Sequence, residues 1–272
     1  MAGSERIRKV EAIVISHADY GETDRILNLF SHELGKIHAI AKGVRREHSR
    51  KAGHLEPFTC VTLMLARGTG MWIVSQAETV AGFTEIKSDL KHTALAAYCL
   101  ELVDRFTTED EVHPHLYRLL RDTLTRLSSQ YPPFNVIRFF EMRFLEMVGF
   151  RPELFHCVQC RAEIQPEDQF FSIAQGGVLC PKCGLRVDSS ESIQVLTLKY
   201  LRHFQRSDYG QVRHLEIATV TQQKMEKLMQ RYIAYLAEKR LNTPAFYRAI
   251  QSSPTNGSDS IAHNDKIDNN HS

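Results

Sequence analysis

Four cysteines stand in two pairs whose spacing suits a metal ion. Cys157 and Cys160 have two residues between them, and Cys180 and Cys183 repeat that spacing after nineteen intervening residues. A two-residue gap lets both thiolates of a pair point into one tetrahedral shell, and two such pairs complete it. The sequence therefore predicts one zinc ion (Zn2+) per chain, bound by these four cysteines. Four free thiols are the alternative.

The predicted zinc is structural rather than catalytic. Four cysteine ligands close the shell and leave no position open for water or substrate. Nearby cations would offset the negative charge that four thiolates place around one dication; these are Arg161, Lys182 and Arg186. His156 could replace a cysteine, but four better-spaced ligands are present, so we expect it to be a neighbour of the site.

A basic segment between residues 36 and 51 is the second feature that could do chemistry. If its first part is a strand, the lysines and the histidine share one face and the small apolar residues share the other. The loop that follows is basic, with Glu47 as its single acid. Such a balance can follow a phosphate backbone by releasing counter-ions, whereas a solvated loop is the alternative. The predicted DNA contacts are Lys36, His38, Lys42, Arg45, Arg46, Arg50 and Lys51.

Aromatic residues in the same region offer another route to nucleic acids, because single-strand binders stack bases on exposed rings. The candidates are Tyr20, Phe30, Phe58 and Trp72. Since rings in a small barrel more often belong to its core, we single out none of them.

Other reactive side chains give no sign of an enzyme. Glu22 and Asp24 lie in a turn region, where carboxylates more often cap or pair with a neighbour such as Arg25 than transfer protons. Cys60 on an apolar strand and Cys99 on an apolar helix face are predicted to be buried thiols. No phosphate-binding glycine loop, nucleophile elbow or acidic metal cluster is visible. We therefore expect a protein that binds without catalysing.

The elements that must position these residues begin with β structure in about the first 80 residues. Predicted strands lie at Lys9–Ile15, Gly35–Gly43, Cys60–Leu65 and Met71–Val74, the last two joined by a hairpin loop at Arg67–Gly70. Short strands separated by glycines are typical of a small barrel or sandwich, and this length suits five strands.

From about Asp89 onward, apolar residues recur at the spacing of an α-helix. In a first helix the predicted stripe is Leu90, Ala94, Ala97, Tyr98, Glu101, Leu102 and Arg105. In a second helix it is Leu116, Leu119, Leu120, Leu124 and Leu127. Further helices are predicted at Phe134–Val148, Ser192–Arg206 and Thr219–Arg240.

The cysteines fall in a segment, Phe155–Arg186, that has no helical pattern. Within it, Gln169–Ile173 and Val178–Leu179 are predicted to form a hairpin that returns the second cysteine pair to the first. Gly184 directly follows Cys183, and we expect it to adopt a positive φ in the turn formed by the second cysteine pair.

Composition limits the class of protein. The chain has 272 residues, of which 43% are hydrophobic and 24% charged, so two globular domains are expected. A net charge of +2 gives no argument for nucleic acid by itself, so any basic surface must come from local clustering. Without a leader or a long apolar run, we expect a cytoplasmic, nucleoid-associated protein. The last residues, 251–272, are polar and predicted to be a disordered tail.

The order of several motifs resembles the RecO family. The matching N-terminal motifs are Ala12–Ile15, Tyr20–Asp24, Phe30, Gly35-Lys36, Ala41–Arg46 and Leu55–Phe58. The resemblance continues through the helical region, Val148–Pro152 and the cysteine pairs, and covers roughly residues 8 to 245. The combined order is specific, although each motif alone is not.

The resemblance implies an α+β protein with an OB-fold barrel at 1–83 and an α-helical domain at 84–250 that contains the zinc motif at 155–187. RecO proteins bind single- and double-stranded DNA, anneal complementary strands and act with RecR to help RecA replace single-strand-binding protein. The family's DNA-contacting basic positions correspond to Lys36, Lys42, Arg45 and Arg46 here. His38 stands where some relatives have lysine, and the four zinc cysteines are not universal in the family.

Two other classes of function remain open at this point. A nucleic-acid-binding factor of transcription or translation, built from an OB-fold and a zinc ribbon, is the first alternative. A metalloenzyme is less compatible with a closed metal shell. Within the family reading, the acidic, apolar-tipped tail of single-strand-binding protein is expected to dock on the helical part. The predicted docking residues are Leu196, Tyr200, Leu201 and Phe204 with Lys199, Arg202 and Arg206.

Overall fold

The computed structural model describes residues 7–109 and 111–252. Its chain divides into two compact units, Met1–Ala237 and Glu238–Ser272. The predicted tail, residues 251–272, lies outside the described residues except for its first two, which end the last helix. None of the helices in the described ranges is long and apolar enough to cross a lipid bilayer.

Five strands at the N-terminus close into a barrel. They are β1 (Ile7–Tyr20), β2 (Asp24–Ser31), β3 (Gly35–Ala41), β4 (Cys60–Arg67) and β5 (Trp72–Ala81). Their order around the barrel is β1-β2-β3-β5-β4, with β3 and β5 parallel and the other neighbours antiparallel. This is the five-stranded arrangement of an OB-like barrel, so the predicted fold of the N-terminal region is confirmed.

Strand β2 is the element of the barrel that the sequence did not reveal. Its segment begins with two charged residues, and Asn28 interrupts its apolar run. Leu27 and Leu29 point into the barrel, while Phe30 points outward into the core of the helical region. Because both faces of this strand are partly covered, its pattern does not alternate as a half-exposed strand would.

The helical region begins with α1 (Thr84–Ser88), α2 (Leu90–Phe106), α3 (Pro114–Leu127) and α4 (Pro133–Met147). All five leucines predicted to form the stripe of the second helix are buried in α3. The stripe predicted for α2 is right only for Leu102, which is buried; Leu90 is 86% exposed, while Ala96, Cys99 and Val103 are buried instead. Apolar residues occur nearly all round α2, so packing against β1, α3 and α4 decides which face is buried.

A small sheet carries the second half of the cysteine segment. It contains β6 (Gln169–Ser172), β7 (Gly177–Leu179) and β8 (Ser190–Ile193), with α5 (Pro181–Gly184) between β7 and β8. Strands β6 and β7 are antiparallel, which confirms the predicted return hairpin. The remaining helices are α6 (Val195–Arg206), α7 (Tyr209–Val212) and α8 (Thr219–Ser252). The predicted helix start at Ser192 is wrong, because residues up to Ile193 pair with β6.

Candidate metal centre and nucleic-acid interface

The four predicted cysteines converge on one point. The Sγ atoms of Cys157, Cys160, Cys180 and Cys183 all lie within 4.8 Å of one another. The Sγ atoms of Cys160 and Cys180 are 3.8 Å apart. A tetrahedral zinc ion with bonds of about 2.3 Å to sulfur places its ligands about 3.8 Å from each other. The cluster therefore has the size and the donor atoms to hold a metal ion.

Two tight turns hold the cysteines in place. In the first, the amide of Arg161 donates to the carbonyl of Cys157, and Arg161 has a left-handed φ of 63°. In the second, the amide of Gly184 donates to the carbonyl of Cys180. The positive φ predicted for Gly184 is wrong, since α5 includes this residue and it is not among the glycines with a positive φ. Gly184 is needed for another reason: a Cβ there would lie 2.3 Å from the ring of Phe170.

The electrostatics of the cluster favour a cation. Burial raises the pKa of Cys157, but the backbone amides of Cys160, Cys180 and Gln159 donate to its sulfur and lower the pKa to about 6. Hydrogen bonding to the Cys180 thiol raises the pKa of Cys183 to about 12. A metal ion that binds here would displace the remaining thiol protons, so its affinity should increase with pH.

The residues around the cluster have separate roles. His156 lies outside it, with its Nδ1 3.9 Å from the Glu153 carboxylate. Arg161, Lys182 and Arg186 are exposed and make no ion pair with the residues that the structure describes. Helix α6 ties the segment to the helical region, because Arg202 Nε donates to the Leu154 carbonyl at 2.7 Å.

On the barrel, the helical region neutralises the predicted basic strand. The Nζ of Lys36 lies 2.6 Å from the Asp104 carboxylate of α2 and also donates to the Asp104 carbonyl. His38 Nδ1 lies 2.9 Å from the carboxylate of Glu109, in the connection that follows α2. Asn28 of β2 donates to the same Asp104 carboxylate. Lys36 and His38 therefore face acids of the helical region, a pairing that local sequence could not indicate.

The loop after β3 divides into anchored and free cations. Lys51 donates to the carbonyls of Lys42 and Val74, and burial lowers the pKa of its ammonium. Arg45 lies 3.4 Å from the Asp19 carboxylate. The side chains of three cations are exposed and make no direct ion pair among the described residues: Lys42, Arg46 and Arg50. The first two attract the Asp24 carboxylate at longer range.

Asp24 supports this loop, as expected of a capping carboxylate. It accepts a hydrogen bond from the amide of Gly43 at 2.7 Å, which lowers the pKa of the Asp24 carboxyl. Arg25 pairs instead with Asp19 and Glu56. The contact of Asp24 with Gly43 holds the loop backbone, and the ion pairs of Arg25 hold the carboxylates of Asp19 and Glu56.

A groove lies between β3 and the loop that joins β4 to β5. Lys36 and His38 line one side, Arg67 and Trp72 the other, and Glu109 lies at the helical end. The Arg67 guanidinium stands 5.5 Å from the centre of the Trp72 ring. Sequence reasoning did not select Arg67, although a cation that opens a glycine-rich loop five residues before Trp72 was a usable signal. OB-folds bind oligonucleotides on this strand and at this loop.

A second basic pocket lies on α6, in the region predicted for the tail of single-strand-binding protein. Leu196, Lys199, Tyr200, Arg202, His203 and Arg206 line it, with no carboxylate among them. Arg206 lies over the ring of Phe155, 3.6 Å from its centre. The prediction that Leu201 and Phe204 belong to this docking site is wrong, because both side chains are buried in the core.

The two remaining cysteines, Cys60 and Cys99, are fully buried, as predicted. Cys60 Sγ lies 3.3 Å from the hydroxyl of Tyr117. Burial raises the pKa of both thiols, which disfavours the reactive thiolate.

Comparison with known proteins identifies relatives over most of the chain. Residues 6–83 match the family model "Recombination protein O N terminal", and residues 87–245 match "Recombination protein O C terminal". A protein of Dehalococcoides mccartyi (strain 195) named DNA repair protein RecO is 33% identical over 85% of this chain and 91% of its own length. Proteins of the same name from Roseiflexus (32%, over 89% and 85%) and Desulforamulus reducens (33%, over 91% and 96%) are similarly close.

Proposed function

The chain belongs to the recombination protein O family of DNA repair proteins, and from this membership we propose that it is a recombination mediator. It binds single- and double-stranded DNA, anneals complementary strands and, with RecR, helps load RecA onto DNA coated by single-strand-binding protein. It does this by binding alone, without catalysis, at the nucleoid in the cytoplasm. A role in transcription or translation is set aside because relatives named for DNA repair match both regions of the chain.

The groove beside Trp72 is the observation that supports DNA binding most directly. Single-strand binders combine cations that follow the backbone with rings on which bases stack. Trp72 provides such a ring, and Arg67, which makes no ion pair with the described residues, lines the same groove. In this proposal a base stacks near Trp72 while Arg67 contacts a neighbouring phosphate.

A strand-annealing assay tests the proposed function. Two complementary fluorescent oligonucleotides are mixed with the protein, with and without single-strand-binding protein. The wild-type chain should accelerate annealing in both conditions. Trp72→Ala should lower single-strand affinity by fivefold or more, because a stacked base contributes about 1–3 kcal/mol. Trp72→Phe is the matched control and should retain most affinity. Wild-type protein that neither binds nor anneals DNA would contradict the proposal.

We assign structural zinc to the four-cysteine cluster. All four ligands are cysteine sulfurs at zinc-compatible separation, and no position is left open for chemistry. The ion would lock the segment between α4 and α6 in its folded form.

The α6 pocket is the proposed docking site for the tail of single-strand-binding protein. Leu196 and Tyr200 give it an apolar wall, and Lys199 and Arg206 provide cations for an acidic peptide. Lys199→Glu should weaken binding of a labelled tail peptide by at least about tenfold, since it replaces attraction with repulsion. Lys91→Glu on α2 is the control with the same charge change. If both variants bound the tail peptide equally well, the tail would have to dock outside the α6 pocket.

A further inference from the structure

The barrel has a second basic surface, on the side formed by β1, β4 and β5. Lys9, Met64 and Gln76 lie next to one another in register across these three strands. The loop after β3 folds back beside them, because Lys51 donates to the carbonyl of Val74 on β5. This places Arg50 on the other side of a cleft that Lys9, Arg50 and Lys51 line together. We call this surface the Lys9–Arg50 cleft.

Charge in this cleft is largely uncompensated. Lys9 and Arg50 are exposed and have no ion partner in the part of the chain that the structure describes. Lys51 is bound by carbonyl oxygens, which leave its positive charge intact. Glu78 is the single carboxylate among the residues that line the cleft. The residues that line the cleft therefore carry a net positive charge, whereas on the β3 face Asp104 and Glu109 lie against Lys36 and His38.

The floor of the cleft differs chemically from the groove beside Trp72. It consists of uncharged side chains, with amide and hydroxyl groups from Gln76, Ser75 and Thr62, and the described residues that line it include no aromatic ring. A β-bulge at Ser75 interrupts the ladder between β4 and β5, and Ser75 Oγ donates to the carbonyl of Met64. Without a ring, the cleft cannot stack unpaired bases, but its cations and hydrogen-bonding groups can contact phosphates and sugars.

We propose that the Lys9–Arg50 cleft binds the sugar–phosphate backbone of duplex DNA while the groove beside Trp72 binds a single strand. This inference rests on the proposed function and assigns its two DNA ligands to different sides of the barrel. The two sites share β5, so a single strand and a duplex bound together would meet at this strand. Such an arrangement suits a junction between single- and double-stranded DNA.

The test measures salt-dependent affinity of full-length variants for a single-stranded oligonucleotide and for a blunt duplex. Lys9→Ala with Arg50→Ala should lower duplex affinity at least about tenfold at 0.15 M salt. It should also reduce the slope of log K against log salt by about 1.8, because two phosphate contacts are lost. Single-strand affinity should change by less than about twofold. Trp72→Ala should show the reverse preference.

Lys91→Ala with Arg118→Ala is the matched control, because both residues are exposed cations of the helical region and the change in net charge is the same. It should leave both affinities unchanged. Loss of duplex and single-strand binding to the same extent in the Lys9/Arg50 variant would overturn the inference and leave one shared DNA path. Unchanged duplex binding would also overturn it. Absence of DNA binding by the wild-type protein would instead contradict the proposed function.

Discussion

The barrel and the metal-binding segment reach a defined structure by different physical means. Hydrogen bonds around the whole barrel close its sheet, and buried apolar residues such as Leu27, Leu63 and Val74 fill its interior. The metal-binding segment has three strands of three or four residues each. Phe171, Val178 and Leu179 join the core of the helical region, whereas the cysteine cluster reaches the surface, where Cys160 is exposed. The first region therefore depends on apolar burial within its own barrel, while the second buries its apolar residues against the helices and, with the proposed zinc, depends also on an ion that binds only when the thiols are deprotonated.

Removal of the metal should produce the largest difference in stability between the barrel and the metal-binding segment. Structural zinc contributes an apparent 10–16 kcal/mol, roughly, to the folding of small metal domains. We expect Cys180→Ser, or treatment with a chelator, to release about one zinc per chain and to unfold the segment between α4 and α6, while DNA binding by the barrel partly survives. Elemental analysis and hydrogen exchange measure the two effects. Protein purified without chelator that contains no zinc would contradict the assignment.

A core substitution in the barrel should have the complementary effect. Leu63 is fully buried, and shortening such a side chain to alanine leaves a cavity that costs about 2–5 kcal/mol. Leu63→Ala should lower the midpoint of thermal unfolding and weaken DNA binding at 37 °C, but it should retain its zinc. A variant that loses the metal together with barrel stability would show that the two regions unfold as one unit.

Substitution of the loop cations should change binding without changing stability. Lys42→Ala with Arg45→Ala and Arg46→Ala should weaken binding to every DNA sequence, because the sequence predicts that these residues contact phosphates. Each lost contact should reduce the slope of log K against log salt by about 0.9 on duplex and 0.7 on single strands. Arg45 should contribute least, since it pairs with Asp19. Unchanged affinity and slope would mean that this loop is only solvated.

Acid should have the smallest effect, at the junction between barrel and helices. Burial raises the pKa of Asp104, but hydrogen bonds and charge from Lys36 and Asn28 outweigh it, so the pKa lies below its ordinary value of 3.8. A carboxyl group with a lowered pKa stabilises the folded state above its unfolded pKa, and this stabilisation is lost as pH falls through the folded pKa. We expect part of the acid sensitivity of unfolding below pH 4 to disappear in Asp104→Asn. Identical acid titration curves for both proteins would contradict this.

The features that the sequence could predict were those encoded over short distances. The spacing of the cysteines, the leucine stripe of α3 and the alternation of β3 each depend on residues within one or two turns or strands. The role of Lys36 depends on Asp104, which is distant in the chain, so no local pattern could show that this lysine is paired. The Lys9–Arg50 cleft needed the register of three strands and the course of a loop, which only the folded structure provides.

The incorrect predictions also have their causes in contacts between residues that are distant in the sequence. For β2 and α2, both faces carry apolar residues, and the choice of the buried face is made by elements elsewhere in the chain. For Gly184, the sequence correctly marked a special position, but the reason is the nearby ring of Phe170 rather than a left-handed backbone.

The outward-facing residues of the barrel also have a consequence for synthesis on the ribosome. Ile13, Ile15 and Phe30 belong to the core shared with the helices rather than to the barrel interior. The barrel sequence is complete at Ala81, whereas α4 ends at Met147, roughly 65 residues later. At about 5–20 residues per second, translation of this stretch takes roughly 3–13 s. During that time the nascent barrel presents an uncovered apolar surface of the kind that chaperones bind, until the helices cover it.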